Sequence, residues 1–488
     1  MERVVHVEKL RLKFPGEDSL LFKDLSASFS KGEKVLLLGP SGCGKSTFLQ
    51  VLSGLIPHSI EVPMKAEEHK CSSSWGYVFQ DPDSQFCMPF VDEEIAFVLE
   101  NMEIPQHQMK ERIHYHLQQV GLNLEDIHTS IHTLSGGMKQ RLAIASILAL
   151  EPDVLFLDEP TAMLDPEGTK EIWQVLKEVG KDKTVIIVEH KIDHVLEFID
   201  RIVLFNEEGQ IMADGPKETI LAMYKSEMKE QGIWFPGVWE EYVKDNHPIR
   251  EKAQFENRET VLYLQDFKGL RQKQSKIFVE EFQAYSGEWI VVRGKNGAGK
   301  STFLHALMQF IKTTGQYELA DTSIKKVKQL TDMMTFVFQN PEFQFVTNSV
   351  YEEIAYSLRL DKMAVPEIDQ QVKELLDLFH LAEHWEKHPY QLSMGQKRRL
   401  SVAASIVKEQ KLILLDEPTF GQDSRNTFAL LELIEDYRRQ GATIIMVTHD
   451  DHITRNFATR VLTIKDGIVI SDKKVTHNRF LEPELVSV

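Results

Sequence analysis

One glycine-rich pattern occurs twice in this chain, as Gly39-Pro40-Ser41-Gly42-Cys43-Gly44-Lys45-Ser46-Thr47 and as Gly294-Lys295-Asn296-Gly297-Ala298-Gly299-Lys300-Ser301-Thr302. Four more stretches repeat in the same order: YVFQDPDSQF with FVFQNPEFQF, LSGGMKQR with LSMGQKRR, VLFLDEPT with LILLDEPT, and TVIIVEH with TIIMVTH. The matched residues stay roughly 255–260 positions apart, so the repeat is a whole duplicated domain rather than a solenoid unit. Length agrees, because 488 residues exceed the roughly 250–300 that one hydrophobic core supports. The expected division is a first domain at 1–225, a linker at 226–258 and a second domain at 259–488.

Short apolar runs bounded by turn residues predict buried strands of a parallel sheet at Val35 to Leu38, Val154 to Leu157, Thr184 to Val188 and Arg201 to Phe205. Trp289 to Arg293, Leu412 to Leu415, Thr443 to Val447 and Val461 to Ile464 repeat them. Helical patterns such as Met109 to Val120 and Glu171 to Val179 lie between, so each half reads as α/β, a sheet covered by helices. The seam is mixed polar and aromatic. Its Trp234, Phe235 and Trp239 either pin the linker to a domain surface or dock a partner.

A composition 42% hydrophobic and 27% charged is too apolar for disorder and too charged for a membrane bundle. The net charge of −18 argues against a reader of nucleic-acid backbones, which carries a basic domain or stripe. Cys43, Cys71 and Cys87 fit neither a metal-ligand spacing nor a disulfide framework, which points to a reducing compartment. Neither a signal-peptide core nor an uncharged membrane span is expected.

A glycine-rich turn between a strand and a helix aims successive N–H groups at one point, and the helix N-terminus adds positive potential there. That arrangement cradles phosphate. Lys45 and Lys300 then reach the β- and γ-phosphates of a nucleotide, and Ser46 and Ser301 offer hydroxyls to Mg²⁺. Each LDEP run places two carboxylates at the carboxyl end of a strand, the ligand edge of a parallel sheet. Asp158 and Asp416 suit the metal, while Glu159 and Glu417 are placed to orient or deprotonate an attacking water. His190 and His449, ending neighbouring strands, belong near the γ-phosphate. Cys43 inside the loop is either a reactive thiol at a helix N-terminus or a small residue in a tight turn.

Phosphate loop, VFQ segment, LSGG-type signature, LDEPT and terminal histidine in this order resemble the ATP-binding-cassette nucleotide-binding domain, present twice and covering nearly the whole chain. The resemblance implies two tandem P-loop NTPase domains, each a mainly parallel sheet flanked by helices, with a helical signature subdomain and an antiparallel β subdomain. It also implies ATP hydrolysis with Mg²⁺ at two composite sites formed by pairing of the two halves. One would join Gly39 to Thr47 with Ser393 and Gly395, and the other Gly294 to Thr302 with Ser135 and Gly137. Gln80 and Gln339 match the glutamine that touches Mg²⁺ and the lytic water, and Asp165 and Asp423 match the D-loop. Phe14 fits the aromatic that stacks on adenine, and Phe267 fits the same role with a two-residue gap. Met394 stands where the signature has its first glycine, which removes a flexible backbone position and weighs against the site built on Lys45.

Within the family, the VFQDPDSQFCMPFVDEEIAF stretch and its echo, with Gln85 and Gln344, resemble the energy-coupling-factor branch of vitamin and metal-ion importers. That resemblance implies a peripheral subunit on the cytoplasmic side of the cell membrane. Its partners would be a transmembrane coupling subunit and a substrate-binding membrane subunit, with membrane contact through them only and no nucleic acid. The cargo would be a vitamin or related small molecule, with hydroxymethylpyrimidine or thiamine as one reading. The rivals are a sugar-import ATPase, expected to have a more degenerate second half, and a soluble twin-cassette translation factor, expected to have a basic helical seam.

Overall fold

The structure is a computed structural model that describes residues 2–17, 19–162, 164–245, 259–324, 330, 332–408 and 410–475. It divides into two compact units, Met1–Val238 with Asp423–Arg425, and Trp239–Gln422 with Asn426–Val488.

In the first unit, strands Lys34–Leu38, Thr184–Val188, Val154–Asp158 and Trp75–Val78 lie side by side in that order, all parallel. Arg201–Phe205 joins parallel on the other side of Lys34–Leu38, and Ile211–Pro216 closes that edge antiparallel. The central strands are buried along their length, which is why they read as unbroken Val/Ile/Leu runs. A separate antiparallel sheet is built around Arg3–Leu12 and Phe22–Ser30. Its Val7, Leu10 and Phe22 share one core with Phe48 of the phosphate-loop helix and with Phe156 and Phe205.

The second unit repeats the order with Trp289–Arg293, Thr443–Val447, Leu412–Asp416 and Met334–Val337, again parallel. Here the antiparallel strands and the parallel core form a single ten-stranded sheet, joined where Gln274–Tyr285 pairs with Ile468–Lys474 at Phe278 and Ile468. The fold is therefore α/β with mixed sheets in both units, and its parallel cores match the strands expected from the apolar runs.

The seam is partly helical. Lys225–Glu230 and Val238–Asp245 are helices, and the expected linker residues at 246–258 lie outside the described residues. Trp239 stacks on His452 with ring centres 5.2 Å apart, and Tyr242 stacks on Phe428 at 4.0 Å. Phe235 is buried, with the Lys225 ammonium over its ring. These aromatic side chains are spent on packing.

Candidate functional site

Because the four core strands of each unit are adjacent and parallel, their carboxyl ends deliver four motifs to one edge. In the first unit Lys34–Leu38 leads into the phosphate loop, Thr184–Val188 into His190, Val154–Asp158 into Glu159, and Trp75–Val78 into Gln80. The equivalent strands of the second unit lead into Gly294, His449, Glu417 and Gln339.

Each phosphate loop closes with a glycine in the left-handed region, Gly44 at φ 98° and Gly299 at φ 102°, as N-cap of the helices Lys45–Ser53 and Lys300–Leu307. Any side chain there would be strained. Both lysines are buried and fold over their own loops. Lys45 Nζ donates to the carbonyls of Gly39 at 2.8 Å and Pro40 at 2.7 Å, and Lys300 Nζ to those of Gly294 at 2.8 Å and Lys295 at 3.1 Å. Crowding explains the first glycine of each loop, since a Cβ on Gly39 would lie 2.9 Å from Phe205 Cβ and one on Gly294 only 2.2 Å from the Ile464 carbonyl oxygen.

The carboxylates converge on these loops. Ser46 Oγ donates to Asp158 Oδ1 at 2.7 Å, and the Tyr77 hydroxyl donates to Asp158 Oδ2 at 2.9 Å. Burial pushes the Asp158 carboxyl up, and burial followed by the Asp158 charge drives the Tyr77 hydroxyl far above its usual range. In the second unit Ser301 bonds Asp416, but Phe336 replaces the tyrosine. Asp416 Oδ1 is consequently buried with no hydrogen-bond partner among the described residues. An orphaned carboxylate oxygen beside a serine hydroxyl and a phosphate cradle fits Mg²⁺, which takes one or two protein carboxylates and fills its sphere with water and phosphate oxygens.

Glu159 and Glu417 both sit in the left-handed region, at φ 47° and 52°, strained for a non-glycine residue. That turn lets the backbone N–H of each reach across to the neighbouring strand, Glu159 to the Val188 carbonyl at 2.8 Å and Glu417 to that of Val447 at 3.0 Å. His190 Nε2 lies 3.0 Å from Glu159 Oε1, and Gln80 Nε2 donates to Oε2 at 2.9 Å. Burial raises the Glu159 carboxyl, but His190, Lys45 and Gln80 together outweigh it and hold the group below its ordinary value. His449 Nε2 stands 3.3 Å from Glu417 Oε1 and 3.2 Å from Asn296 Oδ1 of the phosphate loop.

Ser135 and Ser393 are N-caps of the helices Gly136–Leu148 and Met394–Ile406, accepting from the backbone N–H of Met138 and Gln396. Gly137 and Gly395 lie in the first turns. Met394 takes helical backbone that any residue adopts, so the glycine it replaces leaves no strain. Gln396 completes a capping box that Met138 cannot make.

Phe14 is 38% exposed and open to a stacking partner. Phe267 is fully buried, edge-on to Tyr317 at 5.5 Å, so the adenine-stacking reading of Phe267 is corrected: a left-handed residue at Asp266 turns the following side chain into the core. Lys9 has the same conformation in the first unit, and counting five residues on from each aligns Phe14 with Arg271. Cys43 is buried, and burial pushes its thiol up.

Two residues near the glutamates carry no motif of their own. Glu189 is buried beside Glu159, accepts from the Thr161 hydroxyl at 2.8 Å and from the His190 backbone N–H at 3.0 Å, and is pushed up to about 7 by burial and then by Glu159. Its counterpart in the second unit is Thr448, and the VEH/VTH mismatch between the repeats is the signal that marks it. Arg398 is the other, at the position Gln140 holds in the first repeat.

Comparison with known proteins agrees with this geometry. The ABC transporter family pattern matches residues 22–162 and 280–420. A provisionally named HMP/thiamine import ATP-binding protein of Bacillus subtilis (strain 168), YkoD, is 35% identical over 95% of this chain and 90% of its own length. A provisionally named ABC transporter ATP-binding protein of Methanosarcina mazei is 32% identical over 99% of this chain and 91% of its own. The fold superposes at a TM-score of 0.62, with 20% identity, on a chain in the crystal structure of archaeal ribosomal stalk protein aP1 with ribosome recycling factor aABCE1, covering 95% of this chain and 90% of that one. No helix among the described residues is long and apolar enough to cross a membrane. With its phosphate loops, paired carboxylates and histidines set out twice on the same strand ends, the chain belongs to the ABC transporter family, as an ATPase of two fused ATP-binding domains.

Proposed function

We propose that the chain is the energy-coupling ATPase of an importer of the energy-coupling-factor type, working at the cytoplasmic face of the cell membrane through a transmembrane coupling subunit and a substrate-binding membrane subunit. The cargo on this reading is a vitamin or related small molecule, with hydroxymethylpyrimidine or thiamine favoured by the name of the Bacillus relative. The observation that carries it is that likeness, which extends over 95% of the chain, together with a full set of Lys, Ser, Asp, Glu and His in both units.

In this reading the loop N–H groups of 39–47 and 294–302, with Lys45 and Lys300, bind the phosphates of ATP. Ser46, Asp158 and Gln80 hold Mg²⁺ at one site, and Ser301, Asp416 and Gln339 at the other; the ion supplies charge neutralisation of the phosphates. Glu159 and Glu417 orient the attacking water, and His190 and His449 steady them and reach the γ-phosphate. Ser135 and Gly137, and Ser393 and Gly395, complete the phosphate loop of the opposite half. Phe14 stacks on the adenine at the first site.

The test is purification of the tagged full chain from membranes in MgATP, followed by mass spectrometry. Recovery of polytopic membrane subunits is the expected result. Ribosomal proteins or tRNA in their place would overturn the transport reading.

A further inference from the structure

Arg398 is buried in the second unit on the helix Met394–Ile406, one turn from the signature serine Ser393. Its Nη1 donates to two carbonyls, Phe338 O and Glu417 O, each at 3.4 Å, and its guanidinium lies over the Phe420 ring at 6.0 Å. Phe338 immediately precedes Gln339, and Glu417 is the residue whose left-handed backbone aims its carboxylate. A single side chain therefore ties the signature helix to the backbone of both the glutamine segment and the strained glutamate turn. The charges facing it are those of Glu417 and Asp416; burial lowers its pKa to about 10, which leaves it cationic near neutral pH.

The first unit lacks this tie. Gln140 occupies the same place on the helix Gly136–Leu148, equally buried, and its Nε2 donates to no group among the described residues. A neutral amide stands where the second unit has a cation. The difference runs in the same sense as the Glu189/Thr448 mismatch between the repeats, since the first unit lacks a cation here and adds an acid there.

We infer that Arg398 is a positioning residue for hydrolysis at the phosphate-loop site of the second unit, holding the Glu417 turn and the Gln339 segment in register with the signature helix. A planar guanidinium with several donors suits a bridge between two carbonyls beside two carboxylates, a task Gln140 does not perform for Glu159. The two sites thus differ in how their water-orienting glutamates are held. The inference rests on the reading of Glu417 as the residue that orients the water.

The test uses the full chain carrying E159Q, so that the remaining turnover reports the second site. R398Q and R398M, the latter keeping an unbranched chain out to the level of Nε without charge or donors, should each lower kcat at least tenfold while leaving KM for MgATP within threefold. R398K, which restores a buried cation able to donate to both carbonyls, should return kcat to within threefold of arginine. Assays are run below the melting temperature of every variant, which separates lost positioning from lost folding. Unchanged kcat in R398M, or a rise in KM without a fall in kcat, overturns the inference. E417Q is measured alongside: if it abolishes second-site turnover while R398M does not, only the Arg398 inference falls, whereas unchanged turnover in E417Q removes the reading beneath it.

Discussion

His190 holds its Nε2 3.0 Å from Oε1 of Glu159. With Gln80 on the other oxygen, both oxygens of that carboxylate are engaged, and its strained backbone gives it one direction. The second unit draws Glu417 and His449 together as well, but there the histidine nitrogen is shared with Asn296. The same chemistry is present twice, held by different neighbours.

Because both glutamates are held, Glu159→Gln and Glu417→Gln should each lower steady-state ATP turnover, by similar factors. The double variant should fall by about 10²-fold or more, the usual contribution of a positioned base. Turnover abolished by one substitution and untouched by the other would overturn two-site hydrolysis.

Glu189 makes a prediction about pH. Its carboxyl ionises at about 7 in the folded chain against 4.5 as a free side chain. Between these values the folded state holds the proton that the unfolded state has lost, so this group's contribution to stability falls as pH rises from 4.5 to 7 and is flat above. Glu189→Gln keeps a group able to bond Thr161 and His190 and removes the titration. It should be more stable than the parent at pH 8, by about 3 kcal/mol, with the advantage vanishing toward pH 4.5. Denaturant unfolding at both pH values checks this, and a pH-independent difference would count against it.

Cys43 should resist alkylation, because burial within the phosphate loop keeps its thiol protonated and out of reach. Exposed Cys87 should label first when the native protein meets N-ethylmaleimide, with Cys43 last. Peptide mass spectrometry reads the order. Early labelling of Cys43 would mean that the loop opens far more readily than its packing implies.

Trp239 anchors the helix Val238–Asp245 through Phe428 and His452. Trp239→Ala should cost about 3–5 kcal/mol, as for other buried aromatic truncations. Denaturant unfolding of the full chain measures it, and a loss below about 0.5 kcal/mol would place the residue with ordinary surface positions.

Much of the site is legible in the residues alone because its chemistry is local. A phosphate cradle needs glycines at set spacings, and a carboxylate pair at a strand end needs an apolar run followed by Asp-Glu, so Lys45, Ser46, Asp158, Glu159 and their repeats stand out unaided. Phe267 shows where that legibility stops. Phe267 directly follows the left-handed Asp266 and is buried, as Leu10 is after the left-handed Lys9, whereas Phe14 stands five residues past Lys9 and is exposed; no local pattern reveals those backbone conformations.

The sequence by itself determined two copies of one ATP-binding domain, their order of motifs, and the residue types available to each site. Only the tertiary structure decided how the sites differ. It placed Tyr77 on Asp158 but left Asp416 with an unpartnered oxygen, put Glu189 behind one glutamate, and laid Arg398 across the backbone of the other. The physical reason is distance along the chain. Arg398 and Phe338, or Glu189 and Thr161, are remote in sequence and meet only when parallel strands and the helices between them bring their ends together, and buried charges act on whatever they meet there.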